Sequence, residues 1–244
     1  MSNRQAELKK LFDLTGIVCH EFVLLIRKNE LFDPLLKDKT LVSSYNQTAA
    51  GRGFLDLRST LYLDLVLATV TLISDKSDDT ASLPPILELL EKKFVHDELR
   101  STYVKPHVFN WETSFDSDEE RIEFERLIHE REVKQLCSEF DHLYRDTLER
   151  WEKMCSNARV ANLKRIRNKV LSHKATKTEN SALRAFRVED IGLRYDDCRK
   201  LIEAAQPIFE NIGSIVRKTS YSFPQAKELF GQAAAKFWRT CRGG

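Results

Sequence analysis

Apolar residues recur every three or four positions over long stretches of the chain, a period that predicts helices almost throughout. From Arg4 to about Glu30, Leu8, Leu11, Phe12, Thr15, Val18, Cys19, Phe22 and Ile26 keep this spacing, and Pro34 follows where a helix would end. Residues 43–53, which hold Ser43, Ser44, Asn46, Gly51 and Gly53, predict a loop or a frayed helix start. Phe54–Ser74 is two-sided evidence. Leu61-Tyr62-Leu63-Asp64-Leu65 alternates like a strand, but about 20 unbroken residues is long for one, so the segment is read as a buried helix. A polar connection, Asp75 to Ser82, leads to a short helix from Pro84 to near Lys93, with Ser82 placed to cap it.

Residues 100–117, with Pro106 and few periodic apolar positions, predict a loop folded back over the other helices. Ser117 then opens a capping box with Glu120. Beyond it Val133, Leu136, Phe140, Leu143, Leu148, Trp151 and Met154 recur at helical spacing. Carried to Cys155 this helix is about 57 Å long at 1.5 Å per residue, so it must project or break near Ser156-Asn157. Further helices are expected over about Asn157–Ser172, over Asp190–Lys218 with a kink at Pro207, and over Pro224–Trp238 before a frayed Arg-Gly-Gly tail. Between the first two of these, Lys174 to Asn180 reads as a polar loop. No internal repeat or low-complexity tract is present. The expectation is a single all-α domain over residues 1–244, a helical bundle with one long projecting helix at 118–155.

Composition narrows the class. The 244 residues are 42% hydrophobic and 31% charged, with only 8 Gly and 6 Pro, which excludes collagen-like, disulfide-scaffold and disordered chains. The longest apolar run, Leu61–Ile73, carries Asp64 and falls short of the roughly 20 residues of a membrane span. The first 20 residues lack a secretory h-region. A soluble, cytoplasmic protein with no membrane partner is expected. The five cysteines (Cys19, Cys137, Cys155, Cys198 and Cys241) are odd in number and scattered, which fits reduced thiols, most of them buried.

Charge adds an asymmetry that the net value of +2 hides. Glu112–Glu152 holds 14 acidic and 6 basic residues, whereas Ala158–Arg187 holds 9 basic residues and one acid. Either the two segments pair inside the fold, or the basic one meets polyanions. On a helical wheel with Val160 at zero, Leu163, Ile166, Val170 and Leu171 centre an apolar stripe near 310°. Arg167 falls inside it at about 340°, and His173 borders it at about 220°. A charge in that stripe needs a partner: a carboxylate of the acidic helix in one account, a phosphate in the other. Lys164, Arg165, Lys169 and Lys174 surround the pair as candidate RNA-binding residues.

The run Arg167-Asn168-Lys169-Val170-Leu171-Ser172-His173 resembles the signature of HEPN domains, an Arg, a polar residue, and a His after four to six intervening positions. Arg100 to His107 fits the spacing too, but Ser101 fills its polar slot and Pro106 breaks its helix. Leu57–Leu90, with Arg58, Asp64, Leu72-Ile73-Ser74-Asp75 and Ser82-Leu83, is similar to one branch, the abortive-infection U-type HEPN proteins. The resemblance covers about two thirds of the chain.

It implies a helical bundle that forms a homodimer with two motif copies face to face, and a metal-independent endoribonuclease of phage defence or a toxin. By that resemblance the catalytic residues are Arg167, Asn168 and His173. His173 serves as general base or acid for attack of a 2′-hydroxyl on the adjacent phosphate. Arg167 stabilises the charge of the transition state, and Asn168 orients one of them. The partner is RNA, with an antitoxin or other defence-system protein as a further partner, and no cofactor or metal is required. Residues six apart on an α-helix lie about 120° apart, so either the helix ends before His173 or a second copy across a two-fold axis completes the site. The alternative is a non-catalytic RNA- or nucleotide-binding module, or a helical interaction protein that uses the acidic helix.

His129, Cys137 and His142 do not converge on one helix face as zinc ligands must. Asp75, Asp78 and Asp79 form an acidic loop cluster, for which solvation is the simpler reading than Mg²⁺. Trp111, Trp151 and Trp238 are read as core or interface, and no Walker, G-x-G-x-x-G or G-x-S-x-G motif occurs.

Overall fold

The computed structural model describes residues 2–45, 48–77, 80–105, 117–172, 176–179, 182–185, 192 and 194–241. It is an all-α fold carrying one small hairpin. In chain order the helices are α1 (Asn3–Phe32), α2 (Pro34–Lys37), α3 (Lys39–Tyr45), α4 (Gly51–Ser74), α5 (Leu83–Leu90), α6 (Lys93–Tyr103), α7 (Asp118–Cys155) and α8 (Ala158–Ile166). A π turn (Arg167–Ser172) follows. Then come strands β1 (Thr176–Glu179) and β2 (Ala182–Ala185), and helices α9 (Asp197–Arg217) and α10 (Phe223–Cys241).

The bundle closes around α1, whose buried Leu11, Val18, Cys19, Phe22, Leu25, Ile26 and Phe32 face α4, α9 and α10. Phe22 stacks on Phe209 of α9 at 4.0 Å between centroids and meets Phe223 of α10 edge-on at 4.9 Å, geometries that suit the ring quadrupole. The buried hydroxyls of Thr15 and Thr69 donate to the carbonyls of Leu11 and Leu65, four residues back, at 2.8 and 2.7 Å, so neither is stranded in the core. Trp238 of α10 is buried and donates its indole N–H to the Leu31 carbonyl at 2.9 Å. By length and composition α4 could cross a membrane, yet here it packs on α1, α5, α8 and α9.

Helix α7 runs unbroken through its 38 residues, and Ser117 accepts from the Glu120 N–H at 3.2 Å at its start. Its side chains from Asp118 to Leu127 are exposed, and the first buried one is Phe140. From there it is bound into the bundle: Tyr144 donates to the Leu90 carbonyl (2.7 Å), and Asn211 of α9 donates to Asp146 (3.0 Å).

Five expectations are corrected. Residues 100–103 close α6 instead of opening a loop, because Val95, Leu99 and Tyr103, four apart, face inward. Ser82 does not cap α5. The second and third residues of that helix are Pro84 and Pro85, which have no N–H to give, and the Ser82 hydroxyl instead donates to the Asp75 carbonyl at 2.6 Å. Within the span read as a polar loop, residues 176–179 form β1, paired antiparallel with β2 in the register Thr176↔Ala185 to Glu179↔Ala182. Helix α9 starts at Asp197, seven residues after the expected Asp190. Only two of the five thiols, Cys19 and Cys198, are buried, and burial pushes each up to about 12, so both stay protonated at neutral pH.

Candidate functional site

Asn157 separates α7 from α8 and accepts from the Arg159 N–H at 3.0 Å, which caps the new helix. Val160, Leu163 and Ile166, three apart, are buried and set α8 against α4 and α9. Arg159 reaches Asp197 at the start of α9 (2.9 Å), and the other oxygen of that buried carboxylate accepts from the Arg194 N–H (2.9 Å). The start of α8 is therefore fixed by packing, a cap and an ion pair.

At Arg167 the winding changes from α to π, from i→i+4 to i→i+5 hydrogen bonding. The wheel, built on 100° steps, therefore holds over α8, from Val160 to Ile166, and not through the π turn Arg167–Ser172. A wider turn sets its side chains at a smaller angular step than an α-helix does. His173 and Lys174 lie outside the described residues, as do Asp78, Asp79, His107 and Trp111.

Arg167 is half-buried. Its Nη1 lies 3.3 Å from Oδ2 of Asp75, and its Nε donates to Oδ1 of Asn168 at 3.2 Å. It does bridge a carboxylate, but one at the end of α4 and not one of the acidic helix. Asp75 is itself held. Its N–H donates to the Thr71 carbonyl (3.2 Å), its Oδ1 accepts from the Ser77 N–H (3.0 Å), and its carbonyl accepts from Ser82. The structure thus brings Arg167 and Asn168 into contact on a fixed carboxylate. Lys164 sits half-buried one turn back, with Arg165, Asn168 and Lys169 exposed beside it. In the sequence Asp75 stands out only as a helix end and a loop acid. It stands 92 positions from Arg167, and no local pattern signals so remote a partner.

The second motif match is built differently. Arg100 of α6 grips Asp141 of α7 with both prongs, Nε to Oδ1 at 2.8 Å and Nη2 to Oδ2 at 3.0 Å, and this pairing holds the Asp141 carboxyl below its ordinary range. Among the described residues no three His, Cys, Asp or Glu side chains are placed to share a metal ion.

Open grooves flank the bundle. One of about 720 Å³ runs between the α5–α6 corner and α7. Its walls include Glu91, Tyr144, Leu148, Glu149, Trp151 and Glu152.

In comparison with known proteins, the family model for HEPN AbiU2 matches residues 8–237. No curated protein and no solved structure matches the chain at a comparable level.

Proposed function

Since the chain belongs to the AbiU2 family of HEPN proteins, we propose that it is a metal-independent endoribonuclease working in a defence or toxin system. The observation that carries this reading is the seating of Arg167. Among the described residues this guanidinium has a single carboxylate contact, beside Asn168 and close to the cations of Lys164, Arg165 and Lys169, and so has donors to offer phosphate oxygens. A π segment is rare, and where it interrupts a helix it often marks a functional position. Here it begins on that arginine.

In the proposed reaction the RNA 2′-oxygen attacks the adjacent phosphorus. The imidazole of His173 takes the 2′ proton, and an imidazolium, that of the second copy in a homodimer, gives a proton to the departing 5′-oxygen. The P–O5′ bond breaks as the 2′-O–P bond forms, leaving a 2′,3′-cyclic phosphate and a 5′-hydroxyl. Arg167 meets the charge that builds on the phosphoryl oxygens. Asn168, bonded to Nε of Arg167, holds the fork in place. Lys164, Arg165, Lys169 and Lys174 bind the flanking backbone, a contact whose strength falls with salt. Imidazole, with an ordinary pKa near 6.5, suits both proton transfers at neutral pH.

The test is RNA cleavage by purified protein in EDTA, wild type beside His173→Ala and Arg167→Ala, with the product ends analysed. Cleavage to cyclic phosphate ends by wild type alone is the expected result. Salt-sensitive RNA binding with no cleavage by any of the three, all folded, assigns the chain to the binding-module reading instead.

A further inference from the structure

Two lysines stand at one end of the groove between the α5–α6 corner and α7. The wall residue of α7 at that end is Cys155. Partial burial of its sulfur raises the thiol; the charges of Lys164 and Lys76 oppose the rise and that of Glu91 adds to it, so all three surround this end. Lys76 follows Asp75, the seat of Arg167, and Lys164 lies three residues before Arg167. The groove therefore opens beside the candidate site. Inside it, half-buried Trp151 and Leu148 form an apolar wall one and two turns from Cys155, and Tyr144 is fixed by its bond to the Leu90 carbonyl. Glu152 on α7 and Glu91 on the facing corner are exposed, and among the described residues neither side chain makes an ion pair or a hydrogen bond. Farther along, Asp141 is gripped by Arg100, while Arg145 and Glu149 add one charge of each sign.

We propose that this groove takes a guanine base of the RNA, adjacent to the phosphate held at Arg167, and that Glu152 and Glu91 select it; the proposal rests on the reading of RNA at Arg167. Two carboxylates repel a phosphate backbone, so the backbone runs over Lys76 and Lys164 and only a base turns inward. An ionised carboxylate offers acceptors alone. Guanine meets it with two adjacent donors, N1–H and the 2-amino group. Adenine and cytosine pair one donor with an acceptor on that edge, and uracil flanks its single N3–H with two carbonyls. Trp151 and Leu148 supply the flat apolar surface on which an unstacked base of a single strand rests. A basic peptide also suits carboxylates beside an indole, but its cations would crowd Lys76 and Lys164.

The experiment uses the full chain and reads binding apart from cleavage. The probes are single-stranded uridine hexamers carrying one guanosine, one inosine or neither, 2′-O-methylated throughout so that they cannot be cut, and followed by fluorescence anisotropy. Inosine keeps N1–H and lacks the 2-amino group. Wild type is expected to bind the guanosine hexamer about tenfold more tightly than the other two, within the discrimination of a good bidentate pair. Glu91→Gln with Glu152→Gln erases that preference and leaves the uridine hexamer bound at least as well, whereas Glu119→Gln at the far end of α7 keeps it; circular dichroism checks that both variants fold. On unmodified RNA of mixed sequence, wild type cuts beside guanosine and the double variant cuts without preference. The proposal is overturned if RNA binds with no base preference, or if the preference survives the double substitution. It is equally overturned if a lysine–arginine peptide binds wild type and not the double variant while every RNA binds both alike. Base-indifferent cleavage strikes the groove and leaves the nuclease reading standing; guanosine-selective binding without cleavage keeps the groove and strikes the nuclease reading.

Discussion

Two arginines of this chain precede a histidine at similar spacing, and the structure treats them in opposite ways. Arg100 lies on a regular α-helix and spends Nε and Nη2 on Asp141 in a two-pronged grip. Arg167 stands where α winding gives way to π, touches Asp75 through one nitrogen at 3.3 Å, and leans on its own neighbour Asn168. A guanidinium with its fork filled joins two helices. One held at a single corner, as Arg167 is among the described residues, is aimed yet still has donors to offer. Spacing in sequence cannot separate these cases, whereas the partner's geometry does.

The sharpest test of the contrast is to remove each arginine and compare. His173→Ala and Arg167→Ala are expected to lower RNA cleavage by about 10²–10⁴-fold, the usual weight of a general acid–base or oxyanion group, with the fold kept by circular dichroism. If Arg100→Ala has that effect and Arg167→Ala does not, the two assignments change places. Next comes Asp75→Asn, which keeps the shape but removes the charge that seats Arg167. A drop of about tenfold in kcat with KM little changed marks Asp75 as a positioning residue, since misplaced transition-state contacts show in kcat. An equal loss of binding and rate would argue that it serves the fold only.

Arg100→Ala is expected to leave cleavage intact and to lower stability by about 1 kcal/mol, the upper range for a partly exposed pair, or some 2–4 °C in a domain of this size. Thermal melts followed by circular dichroism would measure it. The smallest effect is in pH. Because Arg100 holds the Asp141 carboxyl below its ordinary 3.8, the contribution of the pair is complete above that value and fades as pH falls through the lower folded one. Wild type should therefore lose stability more steeply than Asp141→Asn below about pH 4, a difference that urea melts at stepped pH can resolve.

Much of this was legible in advance, for a physical reason that differs by region. Helix α7 was readable from end to end because its apolar period, its Ser117 cap and the Ser156-Asn157 break are all local signals. The same holds for α1 and α10, whereas α4 was told from a strand by its length alone and starts at Gly51, inside the span read as a loop or frayed start. The strands are four residues each, too short and too polar for a period to show, so the hairpin passed for a loop. The motif itself was found by its residue types, but its geometry was not. The wheel assumes one winding along a helix, and the winding changes at Arg167. Asp75 was noticed for the wrong property, because ion pairing across 92 positions follows from how α4 and α8 pack and leaves no trace nearby.

The π turn also bears on how motifs of this kind tolerate change. Because it closes on the fifth residue instead of the fourth, each of its hydrogen bonds spans one residue more than those of the α-helix that leads into it. That surplus is slack. A deletion between Asn168 and Ser172 is therefore expected to tighten the turn to α winding with Arg167 kept on Asp75, so that a chain shortened there should fold as wild type does in a thermal melt. Five residues stand between Arg167 and His173 here, the middle of the four-to-six latitude in the HEPN signature. A segment able to give up a residue without disturbing its anchor is a physical basis for a motif whose ends are strict and whose length is not.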